Sequence, residues 1–198
     1  TQNETAAVLK PNPRDKNVMP YEMVNFVNEQ TNYRALSRMG GDLQTLKSLV
    51  SAGFPVMVEK GFEPENLKKE GWMGHFNLVI GYDDAKQVVH EENKYTLPGF
   101  TVTYKDMEKN WRAFNFVFLV VYPPDKQNDV LNAVGPLADE TQADQAAYQR
   151  AMNETSTLTD PRDVFFAWYN VGTSLVNLQD YAGAARAYDT AYEINPTI

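Results

Sequence analysis

One histidine lies in the stretch of the sequence that carries the clearest chemical signal, Gly71–Asp84. The letters are GWMGHFNLVIGYDD, so His75 stands at the head of an apolar run that ends in Gly-Tyr-Asp-Asp. Such a histidine is either an ordinary strand-end residue or the base of a catalytic site. The chain has no cysteine, which excludes a thiolate nucleophile, a disulfide and a thiolate zinc site within it.

A second group of polar residues offers a metal site as a weaker hypothesis. The stretch His90–Glu92 follows Asp83 and Asp84, and imidazole and carboxylate groups suit zinc or manganese. Neighbouring residues of a strand point to opposite faces, so at best alternate members converge. We therefore expect no metal and no other cofactor. A metal-dependent hydrolase centred on His75 and His90 is kept only as the third and weakest alternative.

The elements that must position these residues fall into two parts. Residues 1–124 alternate helical and strand patterns, whereas residues 125–198 carry helical patterns alone. Pro123 and Pro124 mark the boundary, because two prolines remove backbone donors and force an extended chain. We therefore predict two domains that meet at residue 124.

The first part predicts an α+β domain with an antiparallel sheet. Pro20 opens one helix through Asn28, Asp42 caps a second that ends at Gly53, and Lys105–Trp111 forms a third. A tight turn that begins at Asp83 joins the second and third strands as a hairpin. The five predicted strands are Pro55–Glu59, Phe76–Tyr82, Gln87–Glu92, Phe100–Tyr104 and Phe114–Tyr122.

The second part predicts a pair of antiparallel helices. Asp160-Pro161 opens the first helix and Asp180 caps the next, with apolar and small residues at helical spacing. These residues are Trp168, Val171, Gly172, Leu175, Ala184, Tyr188, Ala191 and Pro196. The pattern resembles a tetratricopeptide repeat over residues 165–198.

One such repeat does not bury its own apolar face, so helices in residues 127–152 are expected to supply a neighbour. The resemblance implies a concave groove that binds a peptide or protein. The side chains expected to line this groove are Phe166, Tyr169, Thr173 and Asn177.

The histidine stretch is similar to the histidine motif of C39-like peptidases, which are papain-fold cysteine peptidases of bacteria. Further elements agree in order, among them Gly41-Asp42-Leu43, Ala52–Val58 and Val120–Pro123, so that the resemblance covers roughly residues 7–124. It implies a papain-like antiparallel sheet with packed helices. Matching the family's catalytic residues by order gives His75 as the base and Asn93 as the group that orients it.

The pairing of His75 with Asn93 depends on the hairpin turn. A three-residue turn, Asp83–Ala85, places Asn93 directly opposite His75, where the amide could orient the imidazole. A four-residue turn shifts the pairing by one residue and points Asn93 to the other face.

The family's nucleophile is missing, since its cysteine helix would lie before Thr1. Either the chain is the C-terminal portion of a larger protein, or it is a non-catalytic relative. We expect a C39-like peptidase-related domain fused to a tetratricopeptide interaction region and inactive in this chain. The alternative is a non-catalytic module that binds peptides.

Charge and hydropathy limit the partners. With 26 acidic and 18 basic residues the net charge is −8, which argues against binding a phosphate backbone. No apolar run is long enough to span a membrane.

The truncation hypothesis predicts self-association through apolar surface that the absent helix leaves uncovered. The resemblance suggests a bacterial, extracytoplasmic setting.

Overall fold

The structure, a computed structural model, describes residues 1–12, 14, 17–62, 72–92 and 100–196. The α-helices in these ranges are α1 (Gln2–Leu9), α2 (Pro20–Gln30), α3 (Leu43–Ser51), α4 (Tyr104–Trp111), α5 (Gln127–Val134), α6 (Glu140–Thr157), α7 (Pro161–Asn177) and α8 (Tyr181–Ile194). The strands are β1 (Arg34–Arg38), β2 (Val56–Phe62), β3 (Met73–Asp83), β4 (Val88–Glu92), β5 (Phe100–Thr103) and β6 (Phe118–Tyr122). They form one antiparallel sheet in the order β1-β6-β2-β3-β4-β5, which confirms the predicted α+β class.

Local signals account for most of the elements in the first part. Pro20 begins α2, and the Asp42 side chain accepts a hydrogen bond from the Thr45 backbone N–H at 2.7 Å, as its capping role requires. The sequence analysis missed β1, an edge strand that pairs with β6. The Ala35 backbone N–H of β1 donates to Asn28 Oδ1 of α2 at 2.9 Å, so this strand depends on tertiary contacts.

The hairpin between β3 and β4 differs from both predicted forms. Its turn is Asp84–Gln87, Gln87 has a positive φ of 56°, and Tyr82 pairs with Val89. The register shifts again between Val79 and Gly81, where β3 carries a bulge. The turn has four residues, but it begins one residue later than predicted, so neither of the two predicted registers is correct.

The main core fills one face of the sheet. Valines of β2, β3, β4 and β6 pack there against α3 and α4, and two valines of α5 join the same cluster. The core therefore continues past residue 124, although the division into two domains stays a prediction. Its most completely buried large side chains include Leu46, Leu49, Met107, Trp111, Phe116 and Phe118.

Two loops meet where the helices of the second part of the chain, α5–α8, pack on the sheet. These four helices are called the helical extension. Gly40 and Gly41 donate their backbone N–H groups to the carbonyls of Asn115 and Phe116 at 3.0 and 3.1 Å. Asn115 and Phe116 are both left-handed, which delays β6 until Phe118 and shortens the strand predicted from residue 114. A Cβ at Gly40 would lie 3.0 Å from the Ala147 backbone nitrogen, so α6 packs directly on this loop.

Arg150 of α6 lies at this junction of loops. Its guanidinium carbon is 3.3 Å from the centre of the Phe116 ring, and Nη1 donates to the Gly41 carbonyl at 2.8 Å. Its Nε is 3.5 Å from Glu154 Oε1, and Glu154 also accepts a hydrogen bond from Arg112 at 3.1 Å. Arg150 is thereby held from three sides.

Helix α7 adds a second set of contacts with the first part. Asn170 donates to the Arg112 carbonyl at 2.7 Å, and Asn115 donates to Ser174 Oγ at 2.8 Å. Farther along, Phe166 packs against the Trp72 ring with centroids 5.4 Å apart. The helical extension therefore packs against the sheet domain along α6 and α7.

Helices α7 and α8 form the predicted antiparallel pair. Asp160 and Asp180 cap them as predicted. A Cβ at Gly172 would lie 2.5 Å from the Tyr188 ring, which explains the small residue at that position. Helix α6 packs against α7 and supplies the expected neighbour. Among the described residues we find no helix with the length and apolar character that a bilayer crossing requires.

Glu59 of β2 lies on the opposite face of the sheet from the valine core. A Cβ at Gly74 would lie 3.2 Å from Glu59 Oε1 and 2.5 Å from the Phe114 ring, so the carboxyl group borders an aromatic cluster. Burial raises the pKa of Glu59 to about 7. The Glu59 carboxyl group is therefore protonated more readily than the carboxyl group of an exposed glutamate.

Removal of the Arg150 charge tests the junction of the loops. We expect Arg150→Met to lower the free energy of unfolding by about 2–4 kcal/mol, because the Gly41 carbonyl and Glu154 each lose a partner. Urea unfolding measures this change. Arg186→Met, at an exposed position on α8, is the matched control and should change stability by less than about 0.5 kcal/mol. Equal effects of the two substitutions would contradict the assignment.

Glu59 gives a pH-dependent prediction. Its folded pKa lies above its unfolded value, so its contribution is complete below about pH 4.5 and is lost as the pH rises to about 7. We expect Glu59→Gln to raise the free energy of unfolding at pH 8 by about 1–2 kcal/mol, a range lowered for the partial exposure of the side chain. Denaturant titrations from pH 4 to 8, with exposed Glu29→Gln as control, measure it. Parallel pH profiles for wild type and Glu59→Gln would refute the prediction.

Candidate functional site

His75 is the third residue of β3 and is half-buried. It lies directly opposite Lys60 of β2 in the antiparallel register, so the two side chains share a face of the sheet. Asn77 and Val79 follow at alternate positions on that same face, and Val79 belongs to the main core. The histidine therefore stands where the buried core of the sheet gives way to more accessible surface.

A buried polar network adjoins His75 on this face. Lys60 Nζ lies 2.5 Å from Glu91 Oε2, and Asn77 Nδ2 donates to the same oxygen at 3.0 Å. Glu91 is fully buried, and within the described ranges its second oxygen, Oε1, has no hydrogen-bond partner. The network crosses three strands, since Lys60 is on β2, Asn77 on β3 and Glu91 on β4.

Aromatic contacts hold the start of β3. Trp72, which immediately precedes the strand, stacks on Phe114 with a centroid distance of 5.7 Å and an interplanar angle of 9°. Phe166 of α7 contacts the other rings of this cluster from the helical extension. A segment three residues before His75 is thus fixed by both parts of the chain.

The far end of the β3–β4 hairpin is anchored to two helices. Lys47 of α3 donates a hydrogen bond to Asp84, which also accepts one from Tyr104 of α4 at 2.8 Å. The hydrogen bond that Lys47 donates to Asp84 lowers the pKa of Asp84 and raises the pKa of Lys47. These contacts fix the strand that carries His75 at its other end.

Asn93, the predicted partner of His75, lies outside the described residues. The last described pair of the hairpin joins Leu78 and Glu92, so the register at Asn93 is not tested. Its role in orienting His75 stays a prediction.

The four residues predicted to line a peptide groove have different environments. Phe166 is buried, with 5% of its surface exposed, whereas Tyr169 is 45% exposed and packs against Tyr188. Thr173 Oγ1 lies 3.3 Å from the Tyr188 hydroxyl, and Asn177 donates to Asp144 of α6 at 3.0 Å. Tyr169 and Asn177 are the members of the set whose side chains are exposed.

A metal centre that joins the two histidines does not fit the sheet. His90 precedes Glu91, and Glu91 shares the face of His75, so His90 points to the opposite face. In the parts of the chain that the structure describes, no group of three or more histidine, aspartate and glutamate side chains could hold a metal ion.

Sequence reasoning missed Lys60 and Glu91 as site residues. Lys60 follows the predicted strand Pro55–Glu59, and Glu91 is the middle residue of His-Glu-Glu, which we considered only as part of a weak metal-site hypothesis. Their pairing needs β3 to lie between β2 and β4, which no local pattern reveals. A charged residue within an apolar strand was the available signal.

Of the comparisons with known proteins, the one with family models gives a match. A family model described as the Peptidase_C39 like family matches residues 2–118, which is more than half of the chain and includes His75. No curated protein and no solved structure matches the chain. The absence of cysteine departs from a cysteine-peptidase site, but it does not affect the match over the sheet domain. The chain therefore belongs to the Peptidase_C39-like family.

Proposed function

We propose that this chain carries the base half of a papain-type cysteine-peptidase site and is catalytically silent as it stands. The observation that carries the proposal is the position of His75, at the head of a central strand within a domain that the family model matches. The chain supplies no cysteine to act beside it. A thiolate is the attacking group in such enzymes, and no prepared substitute is evident.

Asn93 belongs to the proposal as the residue that orients His75. Its support is the order of the elements, since it follows β4, the strand next to β3. Glu91, two residues before Asn93, lies on the face of the sheet that carries His75. In triads of this kind a third group fixes the orientation of the base.

The helical extension is proposed to be a tetratricopeptide-type region of residues 165–198, with α6 as its neighbour. Support comes from the close contact of Gly172 with Tyr188, and from the cluster that Ala151, Val171 and Ala187 form between α6, α7 and α8. Small residues at these positions let helices approach closely, as the repeat requires.

A second candidate function is peptide binding without cleavage. The observation that favours it is the exposure of Tyr169, a large aromatic side chain on α7 that lies beside Tyr188. Exposed aromatic residues are frequent anchors in protein interfaces. In this case both parts of the chain would serve recognition.

The first prediction concerns hydrolysis. The purified chain should not cleave a pool of fluorogenic peptides between pH 5 and 9, because no thiolate is present to attack the peptide carbonyl. The assay compares wild type, His75→Ala and, as matched control, His90→Ala. Turnover that His75→Ala abolishes and His90→Ala retains would contradict catalytic silence.

The second prediction separates the scaffold candidate. If α7 binds peptides, Tyr169→Ala should weaken the affinity of a peptide selected from a library by about tenfold, as truncation of an aromatic anchor does. Calorimetry measures the dissociation constants. Tyr21→Ala, at an exposed tyrosine of α2, is the control and should leave the affinity unchanged. Absence of any bound peptide, or equal effects of both variants, would dismiss this candidate.

A further inference from the structure

The Lys60–Glu91 pair is an unusual feature of an apolar sheet. It lies among the valines of the main core, and its two side chains are 8% and 0% exposed. Removing two charges from water costs several kcal/mol per ion, and apolar residues of similar volume often serve stability equally well. Among the described residues, Glu91 Oε1 moreover has no hydrogen-bond partner, so within this part of the chain the pair is incompletely satisfied.

The pair lies beside the proposed base. Lys60 is the cross-strand neighbour of His75, and side chains so paired have Cβ atoms about 4.5–5.5 Å apart. Lys60 extends from there past Asn77 to Glu91. Because Lys60 and Glu91 are buried, water and salt screen their charges less than they screen a charge at the surface.

Other charged groups on this face lie farther away. In the described ranges, Lys47, Asp84 and Tyr104 cluster at the turn end of the hairpin, more than about 25 Å along the strand from His75. Arg38 is on β1, three strands from β3 and so roughly 14 Å across the sheet, and it donates to the Ala138 carbonyl. Glu59 borders Gly74, the residue before His75, but it lies on the opposite face of the sheet. Of these described groups on the face of His75, Lys60 and Glu91 are therefore the charges nearest to the imidazole.

We propose that Lys60 and Glu91 are positioning residues for His75, because their ion pair fixes the charge that the imidazole faces across the strands. Paired, the two charges nearly cancel and leave little net field at the imidazole. Unpaired, either charge would bias the ring towards one protonation state. The inference rests on the proposed role of His75 as the base of the site.

Titration of His75 by NMR tests the inference. The chain has two histidines, so its spectrum contains two imidazole signals, and a His90→Gln variant assigns them. Glu91→Gln leaves the Lys60 cation unpaired and should lower the pKa of His75 by about half to one unit. Lys60→Gln leaves the Glu91 carboxylate unpaired and should raise it by a similar amount.

The double variant Lys60→Gln/Glu91→Gln is the matched control and should return the pKa of His75 to within about 0.3 units of wild type. A purely structural pair would move the pKa in the same direction in both single variants, or not at all, and either result would overturn the inference. Circular dichroism shows which variants fold. If a single variant alone folds, a pKa shift of His75 opposite in sign to the one expected for that variant, or no shift, overturns the inference. The titration needs no substrate, so its outcome is independent of the hydrolysis assay. The expected pKa shifts can be absent in a chain that does not cleave peptides, and present in a chain that does.

Discussion

The packing of the helical extension on the sheet depends on one partly buried cation, the guanidinium group of Arg150. It contacts the Phe116 ring, the Gly41 carbonyl and Glu154 at once, and so joins α6 to the two loops that lead out of β1 and into β6. A buried guanidinium needs such partners, since its desolvation would otherwise be costly. The left-handed backbone of Asn115 and Phe116 turns the Phe116 ring towards Arg150. The Phe116 carbonyl accepts a hydrogen bond from Gly41, whose own carbonyl binds Arg150.

Aromatic contacts connect the same junction to the start of the strand that carries His75. Phe114 precedes the left-handed pair and stacks on Trp72, which in turn contacts Phe166 of α7. Because Trp72 lies three residues before His75, the helical extension supports the start of the strand that carries the proposed base. The two parts of the sequence pack as continuous structure, although their patterns differ sharply at Pro123 and Pro124.

Local signals predicted the elements that local forces decide. Pro20, Asp42, Asp160 and Asp180 begin helices where the sequence indicates, because helix starts need a capping group or a residue that forgoes its N–H. Edge strand β1 was missed, since short polar strands such as Arg34–Arg38 depend on pairing with a distant partner. The hairpin register failed because a bulge near Ile80 and the positive φ of Gln87 leave no distinct mark in the sequence.

The candidate site divides in the same way. His75 was predicted from its motif and lies within the region that the family model matches, whereas the Lys60–Glu91 pair became visible only when β3 was seen between β2 and β4. The central claim is that His75 and Asn93 are remnants of a papain-type site. A crystal structure measures it most directly, through the distance between the His75 ring and the Asn93 side-chain oxygen. We predict a hydrogen bond of about 2.7–3.2 Å; an Asn93 side chain on the opposite face of the sheet from His75 would contradict the account.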